Sequence, residues 1–362
     1  MDNARYMASP IGHRARPPLR EFDLIRSLRR LCAGRDASVR RGIGDDTAVT
    51  AGPPGLDLLL TTDLLAEQVH FDRRTADFPD IGFRSAAANL SDIAAMGGEP
   101  KYLLIALALP NSATARQVRG LYRGMMAACR PHHVLVIGGD VSASAGGWFI
   151  GVTAVGTVER GRALLRSGAR VGDAIYVTGT LGDSLAGLAL ANERIGRAGR
   201  LPRTAILPAR QRRFLLKRHL RPDARVTVGR WLVRERLATS AIDLSDGLSG
   251  DIRHLCEESR AGAEIDTASL PLSQAGLAYA EATGSDPAKM ALTGGEDYEL
   301  LFTTPVRLCG RLERAARRKG FHLTKIGTIK PARFGVQARW AGGLKPLPVT
   351  SYRHFQSPRG ES

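Results

Sequence analysis

The pattern of apolar and polar positions in the first half of the chain alternates between strand-like and helix-like segments. Short apolar runs bounded by glycine or polar residues predict four strands: DLLLTTDLL, YLLIALALP, VLVIGGD and WFIGVTAVGTV. Three further segments predict helices: EFDLIRSLRRLCA, the stretch that begins at Ser85, and SATARQVRGLYRGMMAACR. This alternation indicates an α/β or α+β fold, a sheet with helices on one face.

The second half repeats the alternation with a different set of segments. AIYVTGTLGDSLAGLALA predicts a strand, a glycine turn and a helix, and SAIDLSDGLSGDIRHLCEES predicts another strand followed by a helix. EIDTASLPL and ALTGGEDYELLFTTP follow, then a helix from about Arg307 and the strand KIGTI. We expect a basic lead-in over residues 1–20, domains over 21–158 and 159–357, and a tail over 358–362.

One predicted helix carries an acidic residue among small apolar ones. In SAAANLSDIAAMGGEP, Ser85, Asn89 and Asp92 recur at i, i+4 and i+7 and form a single thin polar stripe. A helix that is apolar nearly all round is usually buried, and a buried carboxylate must be paired or bind a metal. We therefore expect the stripe to face a cation site.

Aspartates recur where apolar segments end or glycines bend the chain, although this residue is poor in strands and helix interiors. They are Asp45, Asp46, Asp63, Asp92, Asp140, Asp243 and Asp246. Any one of them, taken alone, is more simply a helix cap or a turn residue. Together they predict a Mg²⁺ site, because clustered carboxylates need cations and hard oxygen ligands suit Mg²⁺. Magnesium with few protein ligands in turn indicates bound phosphates.

The usual phosphate-binding motifs are absent from the sequence. There is no G-x-x-x-x-G-K-[ST], no G-x-G-x-x-G, no kinase catalytic loop and no H-E-x-x-H. GTLGDS lies between a predicted strand and helix but lacks the lysine, so we interpret it as a tight turn rather than a phosphate loop. A nucleotide enzyme built on this sequence would use metal-bridged aspartates.

Composition and charge narrow the class of protein. Apolar residues make up 43% and charged residues 24% of the 362 residues, which is typical of a globular protein. The apolar runs are too short to span a bilayer and no signal-peptide pattern is present, so we expect a soluble, cytoplasmic protein.

The four cysteines have no paired spacing, which favours reduced thiols over disulfides or zinc. The net charge of +17 is spread along the chain without interleaved aromatic residues, so it does not by itself indicate nucleic-acid binding.

The ordered motifs of the chain resemble those of the thiamine-monophosphate kinase family. The resemblance runs from about Glu21 to Phe355 and rests on GIGDDTAV, TTDLLAEQVHF, NLSDIAAMGGEP, VIGGD, RALLRSGARVGD, YVTGTLGDS, AIDLSDGLSGD, LTGGEDYELLF and SYRHF. The parent superfamily, with aminoimidazole ribonucleotide synthetase and selenophosphate synthetase, shares part of the aspartate pattern. GGDVSAS departs from the usual GGDTT, and Tyr352 stands where the family often has Trp.

The resemblance implies a two-domain aminoimidazole ribonucleotide synthetase-like fold. The N-terminal domain would bind ATP and Mg²⁺ through a mixed sheet with helices, the C-terminal domain would be α/β, and two copies would pair through their N-terminal sheets. Several Mg²⁺ ions are implied, with Asp46, Thr61, Thr62, Asp63, Asp92, Asp140, Asp243 and Asp246 as ligands. The implied ATP contacts are Tyr122, Gly139, Asp140, Arg166 and Ser245. The implied contacts to thiamine monophosphate are His70, Glu296 and Tyr352.

The implied reaction converts ATP and thiamine monophosphate to ADP and thiamine diphosphate, and its chemistry is consistent with the residues present. A phosphate monoester has a second pKa of about 6, so it is largely a dianion at neutral pH and needs no general base. Catalysis then consists of in-line positioning and relief of anion repulsion, here assigned to Mg²⁺ with Arg166, Asp92 and Asp246. We expect direct transfer without a phosphoenzyme.

Three other functions stay open at this point. The chain could be a different ATP-dependent enzyme of the same superfamily, although it has no evident N-terminal Cys or Lys for selenium chemistry. It could be a basic nucleic-acid-binding protein, for which strongly salt-dependent binding would be the evidence. It could be an inactive nucleotide sensor, which the intact aspartate set argues against.

Overall fold

A computed structural model describes residues 21–32, 36–193, 204 and 207–347. The chain divides into two compact units, and the described part of the first is the helix α1 (Glu21–Leu31), which confirms the first predicted helix. All other described elements belong to the second unit, Gly34–Tyr352. The predicted lead-in, the predicted tail and Tyr352 lie outside the described residues.

The first sheet is mixed and contains the four strands predicted for the first half. Its strands are β1 (Val39–Arg41), β2 (Ala48–Ala51), β3 (Leu56–Ala66), β4 (Glu99–Pro110), β5 (Leu135–Ser144) and β6 (Phe149–Glu159), in the order β1-β2-β3-β6-β4-β5. Only β4 and β5 pair in parallel. A parallel pair needs a crossover connection, and the helix α3 (Ala115–Cys129) supplies it. The helix α2 (Phe78–Ala95) connects β3 to β4.

The second sheet has helices from the second half of the chain around it. Its strands are β7 (Ala174–Thr178), β8 (Ser240–Asp243), β9 (Ala261–Asp266), β10 (Leu300–Thr304), β11 (Leu323–Pro331), β12 (Val336–Trp340) and β13 (Gly343–Pro346), in the order β13-β12-β9-β11-β7-β10-β8. The helices are α4 (Asp183–Asn192), α5 (Ala209–Leu220), α6 (Val226–Arg234), α7 (Leu248–Ser259), α8 (Gln274–Thr283), α9 (Pro287–Thr293) and α10 (Val306–Lys319). The two sheets with their helices confirm the expected α/β class.

The two sheets share one hydrophobic core because the central strands of the second sheet are buried on both faces. Successive side chains of a strand point to opposite faces. Tyr176 and Phe302 stack at 5.6 Å between ring centroids and join the core built on α2 and the first sheet. Ile175 and Leu301, their neighbours in sequence, join a separate core with α7.

Glycines in two other helices allow those helices to approach the backbone of α2 closely. A Cβ on Gly124 of α3 would collide with the backbone carbonyl of Pro79, and a Cβ on Gly229 of α6 would collide with that of Ala94. The buried, alanine-rich helix predicted from the sequence is therefore confirmed, and it begins seven residues earlier than Ser85, at Phe78.

Among the described residues, no helix combines the length and the apolar character needed to cross a membrane.

Replacing Gly124 by alanine is expected to lower the free energy of unfolding by ~1–3 kcal/mol, because the added methyl group overpacks the contact between α2 and α3. The matched control is Gly310→Ala in α10, where the nearest atom to an added Cβ belongs to the flexible side chain of Arg314. That change is expected to raise the stability by up to ~1 kcal/mol through helix propensity. Urea denaturation measures both, and a Gly124→Ala variant as stable as the parent would contradict the close packing.

Candidate active site

Three carboxylates from three separate elements meet in one place. Asp46 lies in the turn before β2, Asp92 lies in α2, and Asp243 ends β8 of the second sheet. One carboxylate oxygen from each of the three lies within 4.8 Å of the other two. The cluster therefore joins both halves of the second unit.

Strand β3 adds two more of the predicted residues on the side that faces α2. Thr61 and Asp63 are two positions apart and so share a face of the strand. The Thr61 hydroxyl donates a hydrogen bond of 2.6 Å to Asp92 Oδ2. Asp63 lies close enough to Asp92 and Asp243 for its charge to raise the pKa of both. Asp246 likewise acts on Asp243 through its charge.

Burial and mutual repulsion make the ionised cluster unfavourable on its own. Burial raises the pKa of Asp46, Asp63 and Asp243 to about 6. Burial and then the charges of Asp63 and Asp243 raise the pKa of Asp92 well above its usual value. Asp46 Oδ2 is buried and has no hydrogen-bond partner among the described residues. An orphaned buried carboxylate oxygen beside two further carboxylates is a donor set that fits a Mg²⁺ ion.

Arg166 lies at the edge of this cluster. Its Nε donates a hydrogen bond of 3.2 Å to Asp46 Oδ1, and its backbone N–H donates one of 3.1 Å to Asp45 Oδ1. Ser259 Oγ donates to the carbonyl oxygen of Arg166 at 2.5 Å, which fixes the turn that carries the arginine. The only cationic residue among the predicted ATP contacts is thus held beside the carboxylates.

The loop containing Glu296 is attached to the segment that carries the aspartates of the second sheet. The backbone N–H of Glu296 donates to the Ser245 carbonyl at 2.7 Å, and that of Tyr298 donates to the Leu244 carbonyl at 3.0 Å. Glu296 and Tyr298 have φ of 64° and 51°, a left-handed conformation that non-glycine residues seldom adopt. The Glu296 carboxylate forms an ion pair with Arg84 of α2. This strained backbone next to a carboxylate cluster is typical of a functional site.

His70 has its protonation pattern set by the backbone. Its Nδ1 accepts a hydrogen bond of 3.0 Å from the Ala66 N–H. A ring nitrogen that accepts carries no proton, so neutral His70 is protonated on Nε2. This tautomer presents a donor, which suits a phosphate oxygen.

Five other predicted residues are not among the carboxylates that meet. Thr62 is on the opposite face of β3 from Thr61 and pairs with Thr153 Oγ1 at 3.1 Å. Gly139 and Asp140 are exposed on β5, the edge strand of the first sheet. Tyr122 packs from α3 against the first hydrophobic core. Ser245 is half-buried in the segment beside Asp246.

The GTLGDS turn uses its backbone donors within the protein. The N–H groups of Gly182 and Ser184 donate to Asp297 at 2.6 Å and 2.9 Å. The interpretation as a strand-to-helix turn is therefore confirmed, because a carboxylate of the protein takes the donors that a phosphate would use.

The structure adds residues that the sequence pattern did not single out. Ser91 Oγ donates to Asp243 Oδ2 at 2.7 Å, and Asp251 borders the cluster, where its pKa is raised well above the usual value by burial and by Asp246. By contrast, Ser85 and Asn89 bond to backbone carbonyls one turn earlier in α2. Of the three residues in the polar stripe, Asp92 is therefore the one that reaches the cluster. The signal for Ser91 was its position directly before Asp92.

Comparison with known proteins gives two matching family domains. Residues 44–158 match the N-terminal domain of the AIR synthase related protein family, and residues 170–338 match its C-terminal domain. These two matches cover most of the described chain.

Curated relatives match almost the full length. The chain is 36% identical to the thiamine-monophosphate kinase of Haemophilus influenzae, over 94% of this chain and 99% of the relative. It is 38% identical to that of Escherichia coli, over 94% and 97%. A solved structure described as AaThiL complexed with AMPPCP and TMP superposes with a TM-score of 0.77 at 36% identity, covering 93% of this chain and 97% of the other.

The raised pKa values predict how stability responds to pH. Protonation of Asp46, Asp63 and Asp243 stabilises the fold fully below the unfolded pKa of ~3.9, and this contribution is lost as pH rises through about 6. Without divalent cations, Tm should therefore fall between about pH 5 and about pH 7.5, and Mg²⁺ should raise it more at the higher pH. Thermal unfolding at both values, with and without Mg²⁺, measures the effect. Asp92→Asn should reduce the rise in Tm caused by Mg²⁺, whereas Asp223→Asn, at an exposed ion pair, should leave that rise unchanged. An equal Mg²⁺ response in Asp92→Asn would contradict the site.

Proposed function

This chain belongs to the thiamine-monophosphate kinase family, and we propose that it transfers the γ-phosphoryl group of ATP to thiamine monophosphate. The products are ADP and thiamine diphosphate, and the step completes the synthesis of that cofactor. The observation that carries the proposal is the cluster of Asp46, Asp92 and Asp243 beside Arg166. Clustered carboxylates next to an arginine suit phosphoryl transfer, in which positioning and electrostatics supply most of the catalysis.

Mg²⁺ is the cation that the donor set fits, and we propose Asp46, Asp92 and Asp243 as its principal ligands. When bound, it would neutralise the charge of the ATP phosphates and of the carboxylates. Of the wider set of predicted ligands, Thr61, Asp63 and Asp246 are retained for this site, whereas Thr62 and Asp140 are retained only as ligands of the further Mg²⁺ ions that the resemblance implies. Asp63 and Asp246 are supported by their closeness to the central three residues.

The residues of the chain contribute orientation and charge rather than acid–base chemistry. Arg166 donates to Asp46 and is placed to donate also to a phosphate oxygen at the same edge. No group has to remove a proton from the acceptor, because its phosphate is already ionised. The transfer is therefore direct, and no side chain is phosphorylated.

The two substrates are assigned to different parts of the site. Gly139, Asp140, Ser245, Arg166 and Tyr122 are proposed for ATP. His70, with its Nε2–H donor, Glu296 and Tyr352 are proposed for thiamine monophosphate. The domain division at 158/159 and a cytoplasmic location also stay proposals.

We propose that two copies of the chain pair through the first sheet. Large apolar side chains are exposed on it, including Leu64, Tyr102, Leu104, Leu135 and Val141. An exposed edge strand with apolar residues is a template for pairing with another chain. A second copy is the partner that the family resemblance implies, and it would cover both the edge and the apolar side chains.

The activity test is incubation of the purified protein with ATP, Mg²⁺ and thiamine monophosphate, followed by separation of the thiamine phosphates. Thiamine diphosphate and ADP should appear in equal amounts, without a labelled protein when γ-labelled ATP is used. Asp92→Asn should lower kcat by at least ~100-fold, because it removes a charged ligand at the site of transfer, while leaving the fold intact by circular dichroism. Absence of thiamine diphosphate with the parent protein would reject the function and favour another reaction of the superfamily.

The dimer is tested by light scattering on two variants that add the same charge at equally exposed positions. Leu135 on β5 is 61% exposed and Val306 on α10 is 62% exposed. Leu135→Glu should shift the mass from dimer towards monomer, because an unpaired charge would be buried in the interface. Val306→Glu should leave the dimer mass unchanged. A monomeric parent protein, or a dimer that survives Leu135→Glu, would contradict this interface.

A further inference from the structure

Arg84 is a buried arginine that none of the sequence motifs assigned to a role. It lies in α2, its side chain is 7% exposed, and it forms the ion pair with Glu296. Its Nε has no hydrogen-bond partner among the described residues, and its guanidinium also interacts with the Tyr298 hydroxyl. Burying a guanidinium is unfavourable unless its partners compensate, so the position calls for a specific role.

The neighbours of Arg84 form a connected polar network. Arg84 Nη1 lies 3.5 Å from His219 Nε2, and Ser184 Oγ lies 3.1 Å from His219 Nδ1. Because a guanidinium only donates, Nε2 of His219 is the acceptor and the ring proton is on Nδ1. Glu296 Oε2 lies 3.7 Å from that same Nδ1. Both oxygens of Glu296 thus face donors that belong to other elements, α2 and α5.

Arg84 also shares a helix face with Ser91, which contacts the carboxylate cluster. Ser91 follows it by seven residues, which places both side chains on one face of α2 about 10 Å apart. Ser91 donates to Asp243 and Arg84 pairs with Glu296, so this face holds the aspartate segment and the Glu296 loop at a fixed spacing. The left-handed backbone of Glu296 and Tyr298 is unfavourable in itself, and these side-chain partners add to the backbone hydrogen bonds that hold it.

We propose that Arg84 is a positioning residue for thiamine monophosphate: it fixes the Glu296 carboxylate at a set distance from the carboxylate cluster of Asp46, Asp92 and Asp243. This inference rests on the proposed function, in which Glu296 contacts the substrate. The Arg84 pair neutralises the charge of Glu296, so the carboxylate recognises a hydrogen-bond donor of the substrate rather than attracting its cationic ring. ATP binding does not depend on it.

The test compares variants in the full chain by steady-state kinetics and calorimetry. Arg84→Met should raise KM for thiamine monophosphate by ~10-fold or more through loss of the charge-assisted contact, with KM for ATP changed less than ~2-fold. Arg84→Lys, which keeps the charge but loses the planar fork, should fall between Arg84→Met and the parent. Arg221→Met is the matched control, because Arg221 also pairs with an acidic residue of α2, Asp80, at 2.6 Å, but its side chain is 44% exposed. It should change neither constant.

A coupling measurement separates positioning from general destabilisation. Arg84→Met added to Glu296→Ala should raise KM for thiamine monophosphate no further than Glu296→Ala alone, because the two residues act as one unit. Additive effects, an unchanged KM in Arg84→Met, or a parallel loss of ATP-analogue binding would overturn the inference. If Arg84→Met fails to fold, Arg84→Lys and Tyr298→Phe replace it in the test. An unchanged KM for thiamine monophosphate in both variants would overturn the inference. A parent protein without turnover rejects the proposed function instead, and calorimetry with thiamine monophosphate then still tests Arg84.

Discussion

The mutual repulsion of the clustered carboxylates is what the packing of both sheets has to overcome. Asp46, Asp92 and Asp243 come from three elements, and each would be more stable ionised in water than beside the others. The protein holds them together because the packing around them is extensive, with one hydrophobic core continuous between both sheets. Stability is thereby given up locally, as is common where residues are arranged for function, and the proposed cation site would account for this loss.

Helix α2 carries most of that arrangement. Gly124 of α3 and Gly229 of α6 let these helices approach its backbone, so the helix is held near both of its ends. A helix held in this way can present Asp92, Ser91 and Arg84 at defined positions. Asp92 and Ser91 both meet Asp243 at the end of β8, and Arg84 pairs with Glu296 in the neighbouring loop. Close contact with the neighbouring elements therefore explains both the small side chains of α2 and its ability to hold residues of the site in place.

The sequence predicted the features that depend on local pattern and spacing. The strands β3 to β8, the buried character of α2 and the meeting of Asp46, Asp92 and Asp243 followed from periodicity, from residue type and from the family resemblance. Contacts that depend on tertiary geometry could not be predicted from these patterns. Arg84 and Asp297 are ordinary charged residues in the sequence, and their burial against Glu296 and the Gly182 turn is decided by how the halves pack. Likewise, Thr61 and Thr62 look equivalent in TTD, and only the pleat of β3 sends them to opposite faces.

A crystal structure of the protein with Mn²⁺ in place of Mg²⁺, a nonhydrolysable ATP analogue and thiamine monophosphate would show whether the carboxylate cluster binds a metal. The anomalous signal locates the metal without reference to any assumed ligand. We expect a manganese peak within bonding distance of carboxylate oxygens of Asp46, Asp92 and Asp243, next to the analogue's phosphates. A metal bound by the analogue alone, or by residues outside this cluster, would contradict the account.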